Sequence, residues 1–291
     1  MEVIEGSSID RRVAIMRMLV IVSVVASLLS SYGAMAGTEG CATHLLGGQA
    51  PVITDARLAP RAHEICYSAY AVSVSGITHT ALWAAEHLTR DSLERAREVQ
   101  RDSAFHEDPN VPPGDGAELR DYYHSGYDRG HMAPSGDMPT AHAQYESFSL
   151  ANMVPQDHDN NGYLWEGIEA SVRSMASRSG EIYVVTGPLF DGGSIRQLRG
   201  GLLVPNHLFK AVYNPARNEA GAYITANAPG TKYELVSIAE LETRAGINVF
   251  PALPQSVKDR IMDLPAPRPY KSSRSQGRFK SLFSNLLGTS R

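Results

Sequence analysis

The order in which strands and helices follow one another restricts the fold of this chain more than any other feature. Residues 181–186 (EIYVVT) form the clearest strand, and residues 162–176 form a helix whose apolar positions 164, 168 and 172 recur every four residues. Because strands and helices do not alternate strictly, a parallel doubly wound sheet is disfavoured. The sequence predicts one α+β domain with a mostly antiparallel central sheet flanked by helices. Further strands are predicted over 67–74, 80–85, 145–151, 202–213 and 221–226, and further helices over 91–100 and within 234–262.

Local patterns refine this outline. Residues 67–74 and 80–85 are expected to pair as a hairpin across Ser75-Gly76, and Asp91 or Thr89 is expected to cap the helix over 91–100. Residues 37–66 and 105–137 are rich in turn-forming residues and are predicted to be irregular or loop-like.

The first 36 residues have the layout of a leader. Three arginines precede an apolar run over residues 18–29, and Ala34-Met35-Ala36 follows it. This order is typical of a secretory signal peptide cleaved after residue 36. An N-terminal membrane anchor is the alternative, but the run falls short of the ~20 apolar residues that a spanning helix needs. We therefore expect an exported protein, periplasmic or extracellular, that keeps no stable membrane span after cleavage.

Only two cysteines occur, Cys41 and Cys66, and both lie just beyond the predicted cleavage point. In an exported chain a lone pair usually forms a disulfide, and two reduced, buried thiols are the alternative. A zinc site is disfavoured because two thiolates alone do not make a tetrahedral cage.

The charge distribution limits how this chain could hold a polyanion. The whole chain has a net charge of −4, but residues 265–291 carry six basic residues and no acidic one, which leaves a strongly acidic body. Diffuse attraction cannot bind nucleic acid to such a body, so binding there would need local arginines and a metal ion. We expect residues 265–291 to form a basic, disordered tail.

The densest group of chemically active residues is Asp128-Arg129-Gly130-His131. His131 can accept a proton near neutral pH, and Arg129 can offer its planar guanidinium to phosphate oxygens. Gly130 permits a sharp turn between them. These residue types suit attack on a phosphodiester, although most histidines in proteins serve as surface or core residues.

A second group of polar residues surrounds Asn152, Pro155-Gln156 and Asn160-Asn161. Paired asparagines before a helix are most simply N-caps, because their side-chain oxygens accept free backbone N–H groups. The functional alternative is that one asparagine oxygen is a ligand of Mg²⁺, which binds few protein groups and keeps several waters.

Together these groups resemble the DNA/RNA non-specific endonuclease family, which has the ββα-metal fold. The resemblance runs from about Cys41 to about residue 250, so it predicts a nuclease domain over residues 37–264. It is carried by Asp128-Arg129-Gly130-His131, Asn152-x-x-Pro155-Gln156, Asn161, Glu169 and Arg173, with Arg101 and Phe105-His106-Glu107-Asp108 upstream, Ser125-Gly126-Tyr127, and Thr186-Gly187-Pro188-Leu189-Phe190.

The resemblance implies a role for each matching residue. His131 corresponds to the general base that activates water, Asn161 to the one direct protein ligand of a hydrated Mg²⁺, and Glu169 to an acid that reaches the metal through water. An i,i+4 surface pair between Glu169 and Arg173 is the alternative for those two residues.

The remaining correspondences concern charge and positioning. Arg101 corresponds to the arginine that stabilises charge in the transition state, although Arg95 and Arg97 lie nearby. Arg129, Asn152 and Arg173 correspond to residues that orient the site, and Asp128 is expected to position the turn.

The implied activity is Mg²⁺-dependent cleavage of DNA and RNA that leaves 5′-phosphate ends, with Mn²⁺ as a second possible metal. Two alternatives remain: a phosphodiesterase of narrower substrate range that kept the fold, and a non-catalytic nucleic-acid-binding module. The sequence identifies neither an inhibitor protein nor an oligomeric state. For His106, His158, Tyr163 and Trp165, structural roles are favoured over functional ones.

Overall fold

The computed structural model describes residues 41–267, and the signal-peptide prediction lies outside these residues, as does most of the tail. The strands are β1 Val52–Ile53, β2 Ala62–Cys66, β3 Ala71–Ser75, β4 Ala81–Thr89, β5 Asp128–His131, β6 Met153–Gln156, β7 Glu181–Leu189, β8 Arg196–Gln197, β9 Leu203–Val204, β10 His207–Asn214, β11 Glu219–Ala226, β12 Tyr233–Val236 and β13 Ile247–Asn248. The α-helices are α1 Arg90–Ala96, α2 Leu119–Tyr122, α3 Ala141–Ser147, α4 Glu166–Ser179, α5 Ile238–Ala245 and α6 Gln255–Lys258.

Seven of these strands form one sheet in the order β12-β11-β10-β7-β4-β3-β2. All neighbouring pairs in it are antiparallel, which confirms the predicted fold class. The predicted hairpin forms between β3 and β4, and the predicted strand over 181–186 forms the first six residues of β7. A separate two-stranded sheet joins β5 to β6 and lies outside the large sheet.

Both faces of the large sheet are buried. Because side chains alternate along a strand, β10 directs Leu208 and Val212 into one core and Phe209 into the other. The first core includes Val172 and other apolar residues of α4, and the second includes Leu241 of α5. The central strands are thereby fixed from both sides, and they provide a rigid base for α4.

Polar side chains and glycines define the helix ends. Thr89 accepts a hydrogen bond from the backbone N–H of Ser92, and Ser92 Oγ accepts one from the N–H of Thr89, which makes a capping box for α1. This confirms Thr89 as the cap. Gly246 ends α5 with a left-handed backbone, φ +63°, which glycine adopts without a steric penalty.

The structure corrects several local predictions. Residues 145–151 were predicted as a strand, but Ala141–Ser147 is helix α3 and Leu150–Asn152 a 3₁₀ turn. The Thr140 side chain accepts a hydrogen bond from the Ala143 N–H and starts this helix, an N-cap signal that outweighs the apolar pattern after it. The stretch 67–74 is a strand only from Ala71 onward.

Segments predicted to be irregular also contain short elements. Residues 37–66 include β1 and β2, and residues 105–137 include α2 and β5. Such elements are too short for a periodic pattern to be visible in the sequence. They depend instead on partners that are distant in sequence, because β1 pairs with β13 and β5 pairs with β6.

A disulfide joins Cys41 to Cys66, with 5.5 Å between their Cα atoms. It connects the start of the described chain to the end of β2, an edge strand of the large sheet. In residues 41–267, no helix is both long and apolar enough to cross a membrane.

Candidate active site

A unit of two strands and a helix carries the main polar residues. His131 ends β5 opposite Met153 of β6, and Asp128 begins β5 opposite Gln156. After β6 the chain forms a π-helical turn, Asn160–Trp165, which leads directly into α4. Gly130 makes this close pairing possible, because a Cβ atom there would overlap the Gln156 side chain.

A cavity of about 650 Å³ opens beside this unit. Six of the seven residues predicted for the site line the cavity: Arg101, Arg129, His131, Asn161, Glu169 and Arg173. They come from four separate parts of the chain, so the fold itself assembles the site.

Asn152, the seventh predicted residue, is fully buried and lies behind the cavity wall. Its Oδ1 accepts a hydrogen bond of 2.9 Å from the Ala133 N–H, and its Nδ2 donates to the carbonyl oxygens of Ala133 and Ser147. These bonds fix the chain two residues after His131. The geometry therefore gives Asn152 a positioning contact rather than contact with a substrate.

Two phenylalanines support the His131 ring. The ring centroid of Phe148 lies 4.8 Å from that of His131 in an edge-to-face arrangement, and the Phe105 centroid lies 5.8 Å away. The Nε2 atom of His131 is buried and has no hydrogen-bond partner in residues 41–267. Burial, together with the positive charges of Arg101 and Arg129, lowers the pKa of His131 to about 3. The imidazole is therefore uncharged at neutral pH and can accept a proton.

The same two phenylalanines support the arginines. The Arg129 guanidinium lies 4.1 Å from the centroid of the Phe105 ring, and the Arg101 guanidinium lies 5.2 Å from that of Phe148. Arg101 also donates a hydrogen bond of 3.2 Å to the Ser103 hydroxyl. Neither arginine forms an ion pair in the described chain, so both guanidinium groups are available to an anion in the cavity.

The Asn161 side chain is oriented by Asp128. Its Nδ2 donates a hydrogen bond of 3.0 Å to Asp128 Oδ2, which also contacts Nδ1 of the exposed His158 at 3.0 Å. The Asn161 Oδ1 accepts no hydrogen bond in residues 41–267, and such an oxygen is of the type that hard cations bind.

Glu169 and Arg173 lie one turn apart on α4 but do not form an exposed pair. The Glu169 side chain is only 13% exposed, and its Oε2 lies 4.0 Å from Arg173 Nη1. The closer partner of Arg173 is the buried Asp137, at 2.9 Å. Burial raises the pKa of Glu169 to about 7, although Lys210 and Arg173 oppose the shift. A cation near this carboxyl group would favour its ionised form.

The sequence reasoning missed a set of buried polar residues beneath Glu169. Lys210 of β10 is buried, and its Nζ donates a hydrogen bond of 2.6 Å to the Thr186 hydroxyl. Both carboxylate oxygens of Glu86 on β4 are buried without a hydrogen-bond partner in the described residues. Burial and the charge of Asp137 raise the pKa of Glu86 well above its usual range, against the effect of Lys210.

The sequence contains a pattern that could have identified Glu86 and Lys210 as buried polar residues. Ala84, Glu86 and Leu88 occupy alternate positions of β4 and so share one face of the strand. Lys210 likewise lies between the apolar residues Leu208 and Val212 of β10. A charge on an otherwise apolar strand face marks a buried polar group.

None of the four residues favoured as structural is among the described residues that line the cavity. Trp165 is 1% exposed and packs in the first core, and the partly exposed Tyr163 lies in the same π-helical turn. The His106 ring stacks on Tyr145, with 4.2 Å between ring centroids. The His158 side chain is 78% exposed in a turn.

The residues present fit a hydrated divalent cation. Residues 41–267 contain no group of three or more His, Cys, Asp and Glu side chains that could enclose a metal ion. One free amide oxygen on Asn161 and a buried acid on Glu169 border the same cavity. This donor set suits a cation that keeps most of its waters, such as Mg²⁺.

A neutral histidine and two unpaired arginines border one cavity beside a ββα unit, an arrangement suited to binding and hydrolysing a phosphodiester. The match to the model for DNA/RNA non-specific endonucleases covers residues 50–256. The chain belongs to this family, and it is a nuclease that hydrolyses phosphodiester bonds in DNA and RNA.

Individual relatives agree with this assignment. Nuclease C1 of Cunninghamella echinulata var. echinulata is 36% identical over 205 residues, which are 63% of this chain and 81% of that protein. A nuclease of Nostoc sp. is 31% identical over 241 residues, which are 75% of this chain and 85% of that protein. The mitochondrial nuclease EXOG of Homo sapiens is 34% identical over 223 residues and 68% of this chain, but only 58% of its own length is matched.

A solved structure supports the fold. The crystal structure of the EndoG/EndoGI complex matches with a TM-score of 0.61 and 25% identity, over 67% of this chain and 88% of that one.

Proposed function

We propose that this chain is a Mg²⁺-dependent endonuclease that cuts DNA and RNA without regard to sequence, with His131 as the general base. The observation that carries this proposal is the position of an uncharged His131 in the same cavity wall as Asn161 and Glu169. A general base contributes a factor of ~10²–10⁴ to the rate.

His131 would accept the proton of the attacking water. Burial lowers the pKa of His131 most, and the positive charges of Arg101 and Arg129 lower it further. When an anionic phosphate lies between these groups, it offsets their charge and raises the pKa of His131 towards neutrality. The substrate would thereby make the imidazole a stronger base at the moment when one is needed.

The two arginines would stabilise the phosphate itself. Attack by water adds negative charge to oxygens that are already anionic, and guanidinium groups can donate two parallel hydrogen bonds to them. Stacking on Phe105 and Phe148 holds both groups in place before the substrate arrives. We expect 5′-phosphate and 3′-hydroxyl products, as the family resemblance implies.

Asn161 would hold Mg²⁺ directly through Oδ1, and Glu169 would hold it through water. The bound ion supplies positive charge for the phosphate and the leaving oxygen. Asp128 would keep the Asn161 amide in the required orientation through its 3.0 Å hydrogen bond. Mn²⁺ prefers the same oxygen ligands and is a second candidate.

Lack of sequence specificity follows if the contacts reach phosphate and sugar, which carry no base information. The arginines, the histidine and the amide oxygen in the cavity all suit that part of the substrate.

We further propose export to a periplasm or the cell exterior. The support is the signal-peptide pattern of residues 1–36 together with the disulfide between Cys41 and Cys66. Some relatives are mitochondrial nucleases, so the compartment has to be measured for this chain. The nuclease domain over 37–264 and the tail over 265–291 belong to the same proposal.

The decisive experiment is a plasmid assay with purified residues 37–291. We expect relaxed and then linear plasmid in the presence of Mg²⁺ and intact plasmid in EDTA, with re-addition of Mg²⁺ restoring cleavage. Cleavage rates on duplex DNA, single-stranded DNA and RNA, compared at equal phosphate concentration, show whether the substrate range is narrower than proposed. Intact plasmid with Mg²⁺ and with Mn²⁺ would refute the enzyme proposal and leave the binding module.

A further inference from the structure

The rim of the active-site cavity carries an unusual exposed aromatic residue. Six large hydrophobic side chains are exposed in the described chain, and two of these, Leu119 and Tyr123, line this cavity. Tyr123 is 73% exposed, the highest value among the six. Leu119 and Tyr123 together place exposed apolar surface at the edge of a polar cavity, a position suited to contact with a ligand.

The backbone at Tyr123 is firmly held. Its neighbour Tyr122 is buried in a small core with Leu150 and Met153, beside the β5–β6 unit. Asp121 precedes Tyr122, and its carboxylate accepts a hydrogen bond from the Glu118 N–H at the start of α2. Tyr123 therefore projects from a fixed position, which reduces the entropy that a stacking contact would cost.

The residue after Tyr123 has a strained backbone. His124 has φ +54°, a left-handed conformation that residues with a side chain adopt rarely. Its ring meets the Tyr123 ring edge to face, with 3.9 Å between centroids, and both rings line the cavity. This turn leaves the Tyr123 ring exposed beside the arginines of the site.

We propose that Tyr123 stacks on a base next to the scissile phosphate when that base is unpaired. This inference rests on the proposed function and adds a determinant of substrate choice to it. In a duplex the faces of the bases are covered by their neighbours, whereas an unpaired base can turn outward and offer its face to an aromatic ring. Tyr123 would strengthen the binding of single strands and leave fully paired duplex unaffected.

The test compares KM and kcat for a single-stranded oligonucleotide and for the same sequence as a duplex, with Mg²⁺ at fixed salt. For Tyr123→Ala we expect KM to rise at least about fivefold on the single strand and less than about twofold on the duplex, with kcat little changed. Tyr123→Phe keeps the ring and should restore the single-strand KM. Tyr145→Ala is the matched control, since Tyr145 is 47% exposed but lies outside the cavity.

An oligonucleotide with abasic sites flanking the cut position separates stacking from contact with the backbone. It should bind the wild type more weakly than the normal strand does, and Tyr123→Ala should add no further loss. An unchanged single-strand KM, equal losses on both substrates, or failure of Tyr123→Phe to restore binding would overturn the inference. Each of these outcomes leaves wild-type cleavage intact, whereas a wild type that cuts neither substrate refutes the proposed function instead.

Discussion

The inner wall of the cavity, formed by His131, Asn161 and Glu169, differs from its rim, formed by Arg101, Leu119 and Tyr123. Strand pairing, α4 and the hydrogen bond between Asn161 and Asp128 hold the wall, and burial shifts the pKa values of His131 and Glu169. The rim belongs to irregular chain and a short helix, and its side chains are largely exposed. The wall can tune proton affinity because its side chains are partly removed from solvent, while the rim can only attract or stack. We infer that proton transfer and metal binding depend on the wall, and that phosphate binding and substrate choice depend on the rim.

The largest effect should come from His131. We expect His131→Ala to lower kcat on plasmid DNA by about 10²–10⁴-fold, because no other neutral base lies in the wall. Binding of a single-stranded oligonucleotide, measured by fluorescence anisotropy, should remain near the wild-type value. A loss of kcat below tenfold would assign the proton transfer to another group.

A smaller effect is expected at Glu169, which would act through water. For Glu169→Gln we expect the Mg²⁺ concentration that gives half-maximal activity to rise about 10–100-fold, as substitutions in the outer sphere of a metal site commonly cause. Glu166→Gln, on the same helix and also lining the cavity, is the matched control. An equal shift in both variants would indicate general electrostatic attraction instead.

At the rim we expect Arg101→Ala to lower kcat/KM by about tenfold, the value of one charged hydrogen bond in a partly exposed position. Arg101→Lys should recover only part of this loss, because an ammonium group lacks the planar fork. Arg95→Ala and Arg97→Ala test the neighbouring arginines in the same assay. If either has the larger effect, the correspondence of Arg101 to the family arginine is wrong.

The smallest effect concerns stability rather than rate. The pKa of His131 lies below its ordinary value, so the unfolded chain binds a proton first as the pH falls. The folded state should therefore lose stability between about pH 6.5 and pH 3. His131→Asn removes this loss. The melting temperature of the variant, compared with that of the wild type, should therefore be more favourable at pH 4.5 than at pH 7.5. Parallel pH profiles for the two proteins would show that His131 does not titrate as described.

The sequence allowed the antiparallel α+β fold to be predicted, because long strands such as β7 and the periodic helix α4 leave clear patterns. The sequence also identified six of the residues that line the cavity, because those residues stand in ordered motifs. Short elements such as β5 and α2 could not be predicted, because distant partners rather than local pattern stabilise them. The solvent exposure of single side chains could not be predicted either, because nothing in the sequence distinguished the exposed Tyr123 from the buried Tyr122 beside it.

The contact between Gly130 and Gln156 has a consequence for the mutational tolerance of this enzyme. A library that varies position 130 should return glycine alone among folded, active clones, because even one methyl group would separate β5 from β6 and displace His131. Apart from its chain neighbours and its own helix backbone, Gly162 has no described heavy atom within 4 Å of the place where its Cβ would lie, so alanine meets no steric obstacle there. Directed evolution of this nuclease would thus find freedom at the helix entry and none at this point of the β5–β6 pair.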